Sequence, residues 1–133
     1  MINEKAVSKA LLDQLKTVIG LPTVVTDNGT AYTPNPDTPY IREFDLPSDT
    51  FSPPLGANGY QRREGIYQVD VLVPKNKGKW AALDYCALIQ VAFVRGLKLA
   101  SDKVTIKEIS RSAPRTDSTH YIISLSIGYT ALS

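Results

Sequence analysis

The clearest alternation in the chain runs from Ile66 to Val73. Tyr67, Val69, Val71 and Val73 fall on one side of a pleat and Ile66, Gln68, Asp70 and Leu72 on the other. This predicts a central strand, stopped by Pro74, which has no N–H to give to a ladder. Apolar residues on both sides predict helices over one face and a less uniform cover, solvent or a neighbouring subunit, over the other.

The remaining segments read as its partners. From Glu4 to Ile19, Val7, Leu11, Leu15 and Val18 recur at helical spacing with Leu12 and Ile19 beside them, and Lys5, Lys9, Asp13 and Lys16 take the other side. Asn3 caps this amphipathic helix, and Gly20 with Pro22 ends it. Val24 and Val25 begin a short extended piece before Asp27-Asn28-Gly29 turns the chain and Pro34, Pro36 and Pro39 keep it irregular. Tyr40 to Leu46 alternates as a strand closed by Pro47, and a second helix spans Trp80 to Arg95. Its core face is Ala82, Cys86, Ile89 and Phe93; the opposite face carries Asp84 and Arg95 but also Trp80, Leu88 and Val91. Little of that face is designed for water, so something covers it. Val104 to Ile109 makes a strand, Ala113 to Ser118 a turn, and His120 to Thr130 a last strand. In that strand Tyr121, Ile123, Leu125, Ile127 and Tyr129 form an apolar face, opposite a polar one.

Between Pro47 and Glu64 lies a stretch rich in turn formers, too long for an ordinary connection in a compact domain. Its Phe51, Leu55 and Tyr60 suit an arm that packs on something; a mobile surface loop is the plainer alternative. The expected fold is α+β: one domain over residues 1–133, with a mostly antiparallel four-stranded sheet, two helices packed on one face, and the long arm between the first two main strands.

Composition narrows the function. With 15 basic and 13 acidic residues spread through the chain, a net charge of +2 is not the clustered footprint of a dedicated nucleic-acid binder. One cysteine and one histidine allow no internal disulfide and no Cys/His zinc site. The N-terminus lacks the apolar run of a signal peptide, and nothing reaches the ~20 apolar residues of a membrane span. These features predict a soluble protein of a reducing cytoplasm.

Candidate chemistry is sparse. His120 opens a strand, where a lone histidine is ordinarily a surface or capping residue, and Cys86 falls on an apolar helix face as a small buried hydrophobe. The turn from Lys75 to Lys79 lacks the glycine spacing and the Ser or Thr of a phosphate loop. Asp45, Asp49, Asp70 and Asp84 sit on different elements without metal-loop spacing. No enzyme, cofactor or metal is expected. Tyr60 beside Arg62 and Arg63 is a composition enriched at protein interfaces, though a solvated strand end would also carry it. With the apolar outer face of the second helix, it points to an oligomer, whose heterologous contacts close as a ring or run on as a filament.

Pro39-Tyr40-Ile41-Arg42, then Leu46-Pro47, then Arg62 to Pro74 with the run Gly65-Ile66-Tyr67-Gln68-Val69-Asp70-Val71, resemble the tail terminator, or tail completion, proteins of long-tailed bacteriophages. The similarity extends over most of the chain, and that glycine-led run is its specific part. The resemblance implies a structural virion protein with no active site. Assembled in the bacterial host cytoplasm, it sits at the head-proximal end of the tail as a hexameric ring on the last ring of tail tube protein. There it stops tube growth and offers its other side to a neck or head-completion protein. DNA passes through the lumen without sequence-specific binding, and no membrane is involved. On this reading the arm reaches a neighbour or the tube, Arg62 and Arg63 pair with acidic groups across the interface, and Trp80, Leu88 and Val91 pack between subunits. Two other readings stay open: another connector of the same virion, and a small nucleic-acid-binding module using Arg62, Arg63, Lys75, Lys77 and Lys79.

Overall fold

The computed structural model describes residues 4–26, 38–51, 62–75, 79–100, 103–117 and 119–132. Asn3, the turn and prolines between Asp27 and Pro36, Leu55, Tyr60 and Lys77 lie outside them. The elements are α1 (Glu4–Lys16), β1 (Thr23–Thr26), β2 (Tyr40–Phe51), β3 (Arg62–Pro74), α2 (Lys79–Ala92), β4 (Lys98–Leu99), β5 (Val104–Arg111), β6 (Arg115–Thr116) and β7 (His120–Leu132). They build one seven-stranded sheet in the order β1-β2-β3-β7-β5-β4, with β6 pairing β7.

The fold is α+β with both helices on one face, as the pattern predicts, but the sheet is larger and mixed. β1 pairs β2 in parallel, Thr23 against Tyr40 through Thr26 against Glu43, while the other pairings are antiparallel. The extra strands are β1 and the two-residue pieces β4 and β6, too short to leave a periodic signal. β6 turns the expected turn into a tight hairpin: Arg115 and Thr116 pair Ile122 and Tyr121, and the Asp117 N–H donates to the His120 carbonyl at 3.0 Å.

β3 is the central strand. β7 pairs it from Arg62 against Leu132 to Pro74 against His120, and β2 pairs its other side from Leu72 against Tyr40 to Arg63 against Phe51. Pro47 does not close β2. Beyond Glu43 no described residue pairs the β1 side of β2, a position where proline is tolerated, and the ladder with β3 continues with a register shift between Pro47 and Phe51. Much of the expected Pro47–Glu64 arm is therefore strand.

The core lies between the helices and the inner face of the sheet. Val7, Leu11 and Leu15 of α1, and Ala82, Cys86, Ile89 and Phe93 at or just past the end of α2, bury against Tyr67, Val69, Val71 and Val73 of β3 and against Ile123, Leu125, Ile127 and Tyr129 of β7. Full burial of each large aliphatic side chain contributes about 1.5–3 kcal/mol. The Tyr67 and Phe93 rings meet at 6.0 Å. Burial, and next the Glu43 carboxylate, hold the Tyr67 phenol above its ordinary value, so it stays protonated. α1 stops at Lys16 instead of Ile19 because its end tightens: Thr17 N–H reaches both the Asp13 and the Gln14 carbonyls, and Val18 N–H reaches that of Leu15. Ile19 is thereby turned out of the core and is 90% exposed. The Gln14 side chain donates to the Ala92 carbonyl at 2.8 Å, satisfying an orphan acceptor at the end of α2 and tying the helices together.

A contact chain joins α1 to the sheet. The Tyr129 hydroxyl donates to Asp45 Oδ1 at 2.6 Å, and the Ser8 hydroxyl of α1 donates to Asp45 Oδ2. Gly65, the cross-strand partner of Tyr129, permits this: a Cβ there would lie 2.5 Å from the Tyr129 hydroxyl oxygen and 2.6 Å from Cζ.

The outer face is less polar than the alternation of β7 predicts. Ile122 packs with Tyr40 and Leu72, and His120 and Ser124 are buried too. The reason is registry: Asp70 sits between Arg42 and Ser124 on neighbouring strands. Its Oδ1 accepts from the Ser124 hydroxyl at 2.6 Å and the Gln68 amide at 3.0 Å, and its Oδ2 pairs with Arg42 at 3.2 Å. Nor is His120 a surface residue. Nε2 donates to the Thr38 carbonyl at 3.1 Å, which leaves Nδ1 to accept from the Thr119 hydroxyl at 2.7 Å, and Tyr40 meets the ring edge-on. Asp117 Oδ1 caps this corner by accepting the N–H groups of His120 and Thr119, which hold its carboxyl below the ordinary range.

Three outcomes follow from this packing. Gly65→Ala should cost about 1–3 kcal/mol by overpacking, read as a lower urea midpoint; an unchanged midpoint would show that Tyr129 slips aside freely. Because the folded carboxyl of Asp117 is lowered, its contribution is present above its unfolded pKa and is lost as pH falls through the folded one. The stability gap between wild type and Asp117→Ala should thus be open at about pH 6 and close toward about pH 2. Burial pushes the Cys86 thiol up to about 11, so a thiol reagent at about pH 8 should leave it untouched until denaturant is added.

Candidate functional site

Of the titratable groups weighed in the sequence, four of the described ones make structural contacts and Asp84 faces solvent. Cys86 is in the core, His120 in its corner, Asp45 on Tyr129 and Ser8, Asp70 in its cross-strand cluster, and Asp84 in solvent on α2. Asp45 and Asp49, expected on different elements, share β2. Among the described residues no three Asp, Glu, His or Cys side chains gather as a metal site. No described helix is long and apolar enough to cross a membrane.

What stands out is surface. α2 buries Ala82, Cys86 and Ile89 on one side. On the other it presents Trp80 at 72% exposure, Leu88 at 40% and Val91 at 75%. At 100° per residue these three project within one stripe opposite the buried side. Lys79 Nζ sits 5.4 Å from the Trp80 ring centroid, a cation held over its face. The half-exposed Val94 extends the stripe, and Leu88 lies beside Gly20, next to the exposed Ile19. Ile19 was not legible as surface, because a continuing helix would bury it; only the tightened end of α1 turns it out.

The other proposed interface residues lie elsewhere. Phe51 and Arg63 are cross-strand partners, and Arg62 pairs Leu132, at the far end of the β2–β3–β7 ladder. Leu55 and Tyr60 belong to the undescribed part of the arm. The three stripe residues are thus brought together, whereas the described arm residues, Phe51, Arg62 and Arg63, lie apart from them at that end of the ladder.

A second surface feature, part apolar and part charged and not anticipated from sequence, lies on the outer face. Leu46, Ile66, Gly128 and Glu108 are successive partners across β2, β3, β7 and β5. Leu46 and Ile66 are about half exposed, and Gly128 adds no side chain between Ile66 and Glu108. With Glu64 and Lys107 they line a groove of about 380 Å³. The Lys107–Glu64 pair at its rim spans 3.1 Å and is half exposed, so it contributes little to stability.

Among the solved structures, 13 chains match. One is 25% identical with a TM-score of 0.71, over 96% of this chain and 91% of that one. Its name states no function. No curated protein sequence matches significantly. The family model described as phage tail terminator protein matches residues 4–129, so nearly the whole sheet and both helices fall within it, and the chain belongs to the phage tail terminator family.

Proposed function

We propose that this structural protein of the phage tail caps the head-proximal end of the tail tube as a ring of identical subunits, six in number. In this role it ends tube polymerisation and presents the surface to which the neck joins. The observation that carries the reading is the α2 stripe. The helix has already filled the core with its other face, yet it leaves Trp80 and Val91 about three-quarters exposed to water. An exposed apolar stripe of this kind marks a contact surface.

Contacts between unlike patches of one subunit generate a closed ring when the rotation closes. A ring whose two sides differ stops growth, because only the tube-facing side resembles a tube subunit. The arm beyond Phe51 and Arg63 reaches the neighbour or the tube, with Arg62 and Arg63 set against acidic groups there. DNA crosses the lumen without base recognition. Assembly takes place in the host cytoplasm, and the neck or head-completion protein binds the opposite side.

The test uses purified tail tubes. Wild type should form rings by light scattering and negative stain and should halt tube growth. Val91→Asp, and separately a chain with residues 52–61 replaced by a short turn, should keep the wild-type circular dichroism but lose capping by about tenfold or more. Undiminished capping by both would remove this interface. Binding to the portal side in place of tubes would make the chain a different connector.

A further inference from the structure

Resting on the ring reading above, we propose that the α2 stripe of one copy seats in the outer-face groove of the next, so that these two surfaces form the subunit contact. Three observations carry it. The stripe lies on the solvent side of the helices and the groove on the opposite face of the sheet, and a head-to-tail contact needs two such unlike surfaces on different sides of the subunit. The charges are complementary. The stripe has exposed Lys79 and Arg95 toward its two ends and exposed Asp84 between Trp80 and Leu88, net +1, and the groove is lined by exposed Glu64, Lys107 and Glu108, net −1. A stripe packed on its own twofold copy would instead oppose like net charges.

The third observation is Gly128. Among the described glycines, Gly20 and Gly96 have positive φ and Gly65 is held to its identity by the Tyr129 ring. At Gly128 no described residue supplies such a reason, for among them an added Cβ would meet only Glu108, at 3.5 Å, an ordinary contact. Glycine inside a strand costs about 0.5–1 kcal/mol relative to alanine, and it often marks the close approach of another group. The open space above it, between Ile66 and Glu108, is the seat for an apolar side chain of the neighbouring α2.

Disulfide trapping tests the pairing. Val91→Cys and Ile66→Cys are prepared as separate proteins, mixed with and without tail tubes at concentrations where wild-type mass is followed, and oxidised; buried Cys86 does not compete. A mixed disulfide between the two variants is expected to dominate. Gly128→Val, which fills the groove, should weaken assembly about tenfold or more while keeping the wild-type unfolding midpoint, with Ile66→Lys as a second groove variant should the valine disturb folding. Wild-type rings with only Val91→Cys homodimers, or with no cross-link, would overturn the pairing and leave the ring reading standing. A wild type that forms no ring even on tubes would overturn the ring reading, and the pairing with it.

Discussion

The structure depends on β3 being hydrogen-bonded along both sides while both of its faces are occupied. On the inner face its valines and Tyr67 meet the helices; on the outer face Asp70 and Leu72 are closed over by neighbouring strands. A buried carboxylate is tolerable only when its oxygens are satisfied, and Asp70 has Ser124 and Gln68 on one oxygen and Arg42 on the other. These partners come from β2, β3 and β7, so the polar cluster makes sense in one register alone. A slip of one residue would turn the valines outward and leave Asp70 facing the helices.

The helical layer is keyed to the same register through Gly65. Because no Cβ stands there, the Tyr129 ring lies over the strand and its hydroxyl reaches Asp45, whose other oxygen takes the Ser8 hydroxyl of α1. The run from Gly65 to Val71, the specific part of the family resemblance, therefore carries two structural duties: the glycine seats the tyrosine that anchors α1, and Asp70 locks the outer face. Both contacts lie within residues 4–129, the part of the chain that matches the phage tail terminator family.

Among the described residues, two surfaces with exposed apolar side chains stand on opposite sides of the subunit once the core is closed. One is a convex helix stripe and the other a shallow groove, with opposite net charge around them. Around the core, His120 and Asp117 hold one strand corner, Asp70 and Asp45 take cross-strand partners, and Asp84 faces solvent. The Arg42–Asp70 and Lys107–Glu64 pairs differ in what they do, since the first shields a buried carboxylate and the second sits half exposed at the groove rim.

The sequence by itself determined the elements whose periodicity is long and whose surroundings are uniform. The inner valines of β3, the buried side of each helix and the apolar stripe of α2 were legible because burial on one face imposes a period of two or 3.6. So was the burial of Cys86. Tertiary structure alone decided what depends on contacts between distant residues. It carried β2 through Pro47, because β1 is too short to flank it there. It recruited two-residue strands that no pattern announces, turned Ile19 outward, and buried His120 against the Thr38 carbonyl. It also created the groove, since Leu46, Ile66, Gly128 and Glu108 come from four strands and meet only when the sheet aligns them. Local alternation reports which side of its own strand a residue occupies; what stands opposite is set by strand order and register.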